Sequence, residues 1–391
     1  MGNQQSTSAV DAVPANDQKL SNKWYFPPDI AYDLDSVDLP PSVKAEVFAC
    51  AWEYSRCIIP QFTNWNRYVA FMRTIVMGIV AEFRGDLVDV TAGDNILGYS
   101  LDGTLAELFE GTPGHEDMAR EFKTFLLITS EKTSHRRDGE LFRRYVNTLA
   151  SSPKVWFRIR DCDALARFSI AAALACNDLD DVWYSDDELD ILCEIGDTMY
   201  DAVAFYKHRS EGETNSTFAY VPEDARIQAC HVARELLWAL DVAMARCPQH
   251  AIAINFVRFF GGPLHMMMRR YRFVEDGLTI GNPESDAVVQ QNRRNFKLWN
   301  RVDAKDVQVQ GKQRYAELLT RSDELMFRGL GGLLESFGGG QCSTSSRQFG
   351  GVQLCDGCST QWRDFVETLP ERAKTVFPQI DLQPKEPSSI M

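Results

Sequence analysis

Several signatures of common protein classes are missing from this 391-residue sequence. It has no phosphate loop of the G-x-x-x-x-G-K-[ST] type, no G-x-S-x-G nucleophile elbow and no G-x-G-x-x-G dinucleotide fingerprint. No apolar run approaches the roughly 18–20 residues that span a bilayer, and no charged segment followed by an apolar one marks a secretory signal. Positive charge is also scarce. The formal net charge is −14, which argues against nucleic acid as a partner.

The residues that are present favour a soluble, cytoplasmic protein. Hydrophobic residues make up 45% of the chain, enough to bury a core, and most of the ten cysteines lie in apolar contexts, as reduced cysteines do. Met1–Ser6 fits the M-G-x-x-x-[ST] pattern of myristoylation, although a chance match in a polar tail is the alternative. Because no Lys or Arg precedes Lys19 and no Cys precedes Cys50, a second membrane signal is missing, and we expect at most weak peripheral membrane contact.

The apolar pattern predicts an all-α fold, because apolar residues recur every three or four positions from Val43 onward. We expect a disordered tail over 1–22, a helical catalytic domain over 23–338 and a small Cys-containing segment over 339–391. The predicted helices are 43–58, 66–84, 101–110, 115–130, 138–150, 161–177, 186–211, 223–246, 250–259, 263–275, 284–302 and 311–336.

The acidic segment Asp178–Asp181 follows the helix predicted over 161–177. Negative charge at the C-terminal end of a helix opposes the helix dipole, so a cation would relieve the cluster. Mg²⁺ is the natural candidate because it prefers one or two carboxylates together with phosphate oxygens and water. A solvated acidic loop is the alternative interpretation.

The next predicted helix carries a second acidic pair. Asp197 and Asp201 are four residues apart and share a face with Glu194 and His208. Like charges at this spacing destabilise a helix unless something bridges them, although a polar helix face is usually just solvated. We predict that Mg²⁺ is bound by Asp178, Asp181, Asp197 and Asp201.

Residues 258–272 interleave basic residues with aromatic residues and methionines. Forked arginine donors suit a diphosphate, and apolar walls suit a hydrocarbon chain or a carbocation. A core helix with snorkelling arginines is the alternative. The predicted diphosphate-binding residues are Lys207, Arg209, Arg269 and Arg270.

Three weaker metal candidates compete with this site. Glu131, His135 and Asp138 fall on one helix face, as do Glu82, Asp86 and Asp89 if Gly85 does not break their helix. Near the C-terminus, Cys355 and Cys358 form a CxxC with Cys342 nearby, so a structural Zn²⁺ would lack a fourth ligand among these cysteines.

The sequence also resembles a known family, the fungal sesquiterpene synthases of the abscisic-acid pathway, of the α-ionylideneethane synthase type. The resemblance lies in 48–73, LFEGTPGH (108–115), RRDGELFRRYVN (136–147), RDCDALARF (160–168), LACNDLDDVW (174–183), 195–220, 254–275 and NFKLWNRVDA (295–304). It implies a terpene-synthase-like helical bundle that converts farnesyl diphosphate to an apolar triene and releases diphosphate. The usual DDxxD motif of terpene synthases is absent, and Phe205 stands where the Glu of their second metal motif would be.

The resulting hypothesis is Mg²⁺-assisted ionisation of farnesyl diphosphate. Because the resemblance implies neutral polyene intermediates that lose and regain protons, an acid or base is needed. We predict His208 and His265 for that role and Tyr271 as an orienting group, although released diphosphate could serve instead. The rival hypotheses are a non-catalytic helical carrier of an isoprenoid or lipid, and a prenyl-transferring enzyme with a second substrate.

Overall fold

The computed structural model describes residues 24–134, 139–205, 208, 215–219, 221–260, 311–339 and 354–380. Within these ranges nearly all regular structure is helical, and the only sheet is an antiparallel pair of two-residue strands, β1 (Asn95–Ile96) and β2 (Tyr99–Ser100). Short 3₁₀ helices cover Pro28–Ile30, Gly85–Leu87 and Thr217–Ala219. The all-α, terpene-synthase-like fold predicted from the sequence is confirmed.

The α-helices are numbered here in chain order. They are α1 (Pro41–Ile58), α2 (Trp65–Phe83), α3 (Leu101–Phe109), α4 (His115–Lys132), α5 (Glu140–Ser151), α6 (Pro153–Asp163), α7 (Ala166–Ala175), α8 (Asp186–Val203), α9 (Glu223–Met244), α10 (Pro248–Phe260), α11 (Gly311–Thr320), α12 (Ser322–Leu325), α13 (Leu330–Phe337) and α14 (Asp356–Val376). The helices predicted over 263–275 and 284–302 lie outside the described residues.

Side-chain caps fix the beginnings of several helices. Asn64 accepts the backbone N–H of Arg67 at the start of α2, and Ser100 caps α3 in the same way. Ser185 and Glu188 form a reciprocal capping box at the start of α8. Each cap satisfies a backbone donor that has no partner within its helix. These helices therefore begin within one residue of their predicted positions.

The helix predicted over 161–177 is wrong as a single element. The structure divides it into α6 and α7 at Leu165, whose φ of 58° is left-handed. The Asp161 carboxylate accepts the backbone N–H of Arg167 at 2.8 Å and so caps the first turn of α7. The local cap competes with continuation of the helix. The acidic segment Asp178–Asp181 therefore follows the short helix α7, which ends at Ala175, and not one long helix.

Helix α8 is largely buried in the described core. It packs against α6, α9, α10 and the C-terminal helix α14, while α2 packs against α1, α3 and α4 in a neighbouring part of the core. Large side chains such as Trp156, Phe122 and Phe168 are fully buried between these layers. The sequence did not predict α14, which lies in the Cys-containing segment and contacts α6, α8 and α9. None of the described helices is long and apolar enough to cross a bilayer.

Candidate active site

Helix α8 turns an acidic face into the protein. Asp190, Glu194, Asp197 and Asp201 recur every three or four residues and therefore form one stripe along the helix. Glu194 is 5% exposed, and Asp197 and Asp201 are completely buried. The solvated-face alternative for this helix is therefore wrong. Buried carboxylates are costly unless they are compensated, so the neighbours of the stripe indicate its purpose.

Arginines from three other helices neutralise most of the stripe. Arg167 of α7 donates to Asp190 at 2.6 Å, and Arg372 of α14 forms a forked pair with Glu194 at 2.7 and 2.8 Å. Arg160 of α6 forms the third pair, donating to both oxygens of Asp201 at 2.8 and 3.1 Å. Forked arginine–carboxylate pairs are strong and directional. They therefore hold α6, α7 and α14 to one face of α8.

Asp201 lies next to the predicted acid/base residue His208. The Asp201 Oδ2 atom also accepts the backbone N–H and the hydroxyl of Thr217, at 2.8 and 2.6 Å. The Nδ1 atom of His208 lies 3.8 Å from Asp201 Oδ1, and its Nε2 atom is 3.1 Å from the Tyr200 hydroxyl. The structure thus brings together two residues that the sequence assigned to different roles.

Asp163 forms a second buried polar centre beside Arg160. Its carboxylate accepts hydrogen bonds from four groups: Lys132 Nζ at 2.8 Å, Asn215 Nδ2 at 2.6 Å, the Tyr145 hydroxyl at 3.2 Å and Arg160 Nη1 at 3.3 Å. Burial alone would raise the pKa of Asp163, but the charges of Lys132 and Arg160 hold that pKa below its usual value. Asp163 is therefore a satisfied, ionised carboxylate.

Asp197 differs from its neighbours on the stripe. It is fully buried, and neither carboxylate oxygen has a hydrogen-bond partner among the described residues. Burial raises the pKa of Asp197 well above its usual value, and the nearby carboxylates Asp161, Asp201 and Asp163 raise it further, against the opposing effect of Arg160.

An orphaned carboxylate beside other acids needs a proton or a bound cation. The donor chemistry at Asp197 therefore fits Mg²⁺, which prefers carboxylate oxygens. Within the described ranges, however, no three His, Cys, Asp or Glu side chains converge on a metal position. The described part of the chain thus supplies one open carboxylate, with the already paired Asp201 one turn away.

The segment Asp178–Asp181 lies against the beginning of α2. Asp178 has a left-handed backbone (φ 54°), and its carboxylate accepts from the Thr63 hydroxyl at 2.7 Å and from Asn64 Nδ2 at 2.9 Å. Those two hydrogen bonds hold the pKa of Asp178 below its usual value. Asp180 pairs with Arg67 at 2.5 Å, while Asp181 is exposed.

Arg67 ties this acidic segment to the surrounding helix ends. It also donates to the backbone carbonyl oxygens of Ala175 and Glu110. The described partners of Asp178 are Thr63 and Asn64, whereas those of Asp201 are Arg160 and Thr217. Binding of one Mg²⁺ by both acidic groups, Asp178 with Asp181 and Asp197 with Asp201, stays a prediction.

Two residues of the weaker metal candidates, Glu131 and Asp89, have hydrogen-bond partners in the structure. Glu131 is buried and accepts from Arg314 Nε at 2.9 Å, and Asp89 caps its own turn by accepting the Thr91 N–H and hydroxyl. The following predicted site residues lie outside the described residues: His135, Asp138, Lys207, Arg209, His265, Arg269, Arg270, Tyr271 and Cys342.

The sequence analysis missed the basic partners of the buried carboxylates. Arg160 and Lys132 were assigned no role, although both contact Asp163. A signal was present in RDCDALARF (160–168), where four charged residues lie between apolar stretches. Charges in an otherwise buried stretch are expected to pair with one another or with a neighbouring helix.

The fold and these contacts define the class of protein. It is an all-α, terpene-synthase-like domain in which helix α8 directs carboxylates into the protein. Comparison with known proteins then identifies the family. The sequence profile described as "Alpha-ionylideneethane synthase aba3" matches residues 22–379, and the chain belongs to this family of synthases.

Curated relatives carry the same description across several fungi. An α-ionylideneethane synthase aba3 of Botryotinia fuckeliana is 64% identical over 385 residues, covering 96% of this chain and 87% of the relative. An α-ionylideneethane synthase abl3 of Leptosphaeria maculans is 59% identical, covering 93% of this chain and 87% of the relative. One from Pyricularia oryzae is 54% identical, covering 95% and 86%.

Proposed function

We propose that this protein is a Mg²⁺-dependent sesquiterpene synthase, a lyase that converts farnesyl diphosphate to an α-ionylideneethane-type hydrocarbon and releases diphosphate. The family membership and the names of the relatives support this reaction and a place in abscisic-acid-type biosynthesis. One structural observation supports a cation at the site: the fully buried Asp197 carboxylate with no partner among the described residues.

In this proposal Asp197 holds Mg²⁺, with Asp201 as a second ligand from the same helix. When bound, Mg²⁺ would neutralise charge on the diphosphate and stabilise that group as it leaves. Arg160 and Thr217 position the Asp201 carboxylate, and Lys132 keeps Asp163 ionised. In the same proposal His208, which lies beside Asp201 and Tyr200, holds or moves a proton within this polar region.

The reaction is tested with purified protein, farnesyl diphosphate and Mg²⁺, followed by extraction and mass spectrometry of volatile products. We expect a hydrocarbon and an equal amount of released diphosphate, both lost with EDTA and restored by added Mg²⁺. Absence of hydrocarbon in every condition would overturn the proposal. Binding of farnesyl diphosphate without turnover, unaffected by EDTA, would instead identify an isoprenoid carrier.

The two acidic groups are distinguished by matched substitutions. We expect Asp197→Asn to lower kcat/KM at least 100-fold and to raise the Mg²⁺ concentration needed for activity, because it removes the open buried carboxylate. Asp178→Asn and Asp181→Asn are the comparison, since Asp178 is engaged by Thr63 and Asn64 and Asp181 is exposed. A raised Mg²⁺ requirement in those two variants would show that the segment Asp178–Asp181 also binds metal.

A further inference from the structure

Cys355 and Cys358 bring two thiols together at the beginning of α14. Cys355 precedes the helix with an extended backbone (φ −65°, ψ 164°), and Cys358 lies in the first turn. Their Sγ atoms are 3.4 Å apart, and both side chains are partly exposed. A disulfide bond is about 2.05 Å long, so the sulfurs need to approach by only about 1.4 Å to form one.

Hydrogen bonds fix the positions of both sulfurs. The Sγ atom of Cys355 lies at the beginning of α14, where it accepts the backbone N–H of Cys358 at 3.5 Å. The thiolate is the form that attacks a disulfide. The Cys358 thiol donates to the backbone carbonyl oxygen of Ala150 in α5 at 3.1 Å, which keeps its sulfur beside Cys355.

We propose that Cys355 and Cys358 form a redox-active dithiol that exchanges with the disulfides of small thiols such as glutathione. The Cys355 thiolate attacks one sulfur of the external disulfide, forms a mixed disulfide and expels one thiolate. The Cys358 thiolate then attacks the Cys355 sulfur and expels the second. Both cysteines are oxidised to one disulfide, the external disulfide is reduced to two thiols, and the two protein protons pass to those products.

Oxidation has a structural consequence at the contact between α14 and α5. The disulfide has no S–H, so Cys358 no longer donates to the Ala150 carbonyl oxygen. Trp362 Nε1 still donates to the neighbouring carbonyl of Leu149 at 2.8 Å. The contact between α14 and the end of α5 therefore loses the hydrogen bond from Cys358 and keeps the one from Trp362, a change independent of the reaction proposed above.

The dithiol is tested on the full chain in glutathione buffers with a rising fraction of glutathione disulfide. Remaining thiols are blocked with a maleimide, and peptides are analysed by mass spectrometry. As the fraction of glutathione disulfide rises, we expect Cys355 and Cys358 to stop reacting with the maleimide together. Their peptide should then contain an internal disulfide that dithiothreitol reduces. In Cys358→Ser we expect Cys355 to stop at the mixed disulfide with glutathione. Serine can still donate to Ala150, so this variant should fold.

The partly exposed Cys57 provides the matched control. Cys57→Ser should leave the exchange at Cys355 and Cys358 unchanged, and in the parent protein Cys57 should form only mixed disulfides. Two results would overturn the proposal. In the first, Cys355 and Cys358 both still react fully with the maleimide at the highest fraction of glutathione disulfide. In the second, either cysteine forms its disulfide with Cys342.

Discussion

At the scale of single residues, Asp197 and Asp201 show how neighbours decide the state of identical side chains. Both are fully buried on one face of α8. Asp201 has an arginine fork and two donors from Thr217, whereas Asp197 has no partner among the described residues. One is therefore expected to stabilise the fold as an anion, and the other to oppose folding whenever it is ionised without a cation.

We predict that the stability contributed by Asp197 depends on pH, measured by chemical denaturation in EDTA. The pKa of Asp197 is raised in the folded state above its usual value of 3.8. The contribution of Asp197 to the free energy of unfolding is therefore fully present at a pH below 3.8, and it is lost as the pH rises through the pKa of the folded state. The stability of the parent protein minus that of Asp197→Asn should therefore fall with rising pH, by at most about 1.4 kcal/mol per pH unit.

Asp201→Asn is the control at the same depth in the same helix. It leaves the buried Arg160 without its forked partner, so we expect a loss of about 3–5 kcal/mol near neutral pH. Equal losses in both variants, with no pH-dependent difference at Asp197, would show that Asp197 is compensated after all.

At the scale of secondary-structure elements, arginine–carboxylate pairs join α8 to three neighbouring helices, in addition to apolar packing. Helix α14 contributes two ion pairs of different kinds. Arg372 reaches the buried Glu194, whereas Arg363 pairs with Asp224 at the surface. Burial raises the pKa of Glu194 although Arg372 opposes the shift, so the loss of Arg372 would leave an expensive interior carboxylate.

We predict that Arg372→Met lowers the free energy of unfolding by about 2–3 kcal/mol, while Arg363→Met lowers it by less than about 1 kcal/mol. Adding Glu194→Gln to Arg372→Met should restore part of the loss, because the bare carboxylate is then removed. Urea titrations of the four variants measure these values. Additive effects of Glu194→Gln and Arg372→Met would contradict the coupling.

The beginning of α2 provides a second element-scale prediction. Asn64 both caps α2 and donates to Asp178, so Asn64→Ala should cost about 1–2 kcal/mol and loosen the segment Asp178–Asp181. Asn64→Asp separates the two functions, because it keeps the cap acceptor but loses the donor to Asp178. Hydrogen exchange at 177–182 and thermal melting measure both effects. Unchanged exchange in Asn64→Ala would contradict this anchoring role.

At the scale of the whole molecule, the sequence was informative where signals are local. Regular apolar spacing placed α2, α3 and the start of α8 within a residue of the positions that the caps at Asn64, Ser100 and Ser185 fix. The break at Leu165 was not predictable from spacing, because it depends on a cap formed by Asp161. The inward acidic face of α8 depends on arginines up to 178 residues distant in the chain, which periodicity does not reveal.

The bound state should stabilise the whole domain by mass action. We predict that Mg²⁺ and inorganic diphosphate together raise the melting temperature, with about 2.7 kcal/mol of stabilisation at 100 times the dissociation constant. Either component alone should have a smaller effect, and Asp197→Asn should lose most of the joint shift. Differential scanning fluorimetry measures this. An equal shift in Asp197→Asn would place the bound cation elsewhere.

The pair between Glu194 and Arg372 also has a consequence for the order of synthesis. Its residues are separated by 178 positions, so Glu194 leaves the ribosome long before its counter-charge exists. Until α14 is made, the Glu194 carboxylate of α8 lacks the guanidinium that compensates its burial. We therefore expect final packing of α8 to wait for α14, the last described helix. A nascent chain stopped before Arg372 should be recognised by chaperones and proteases as unfinished.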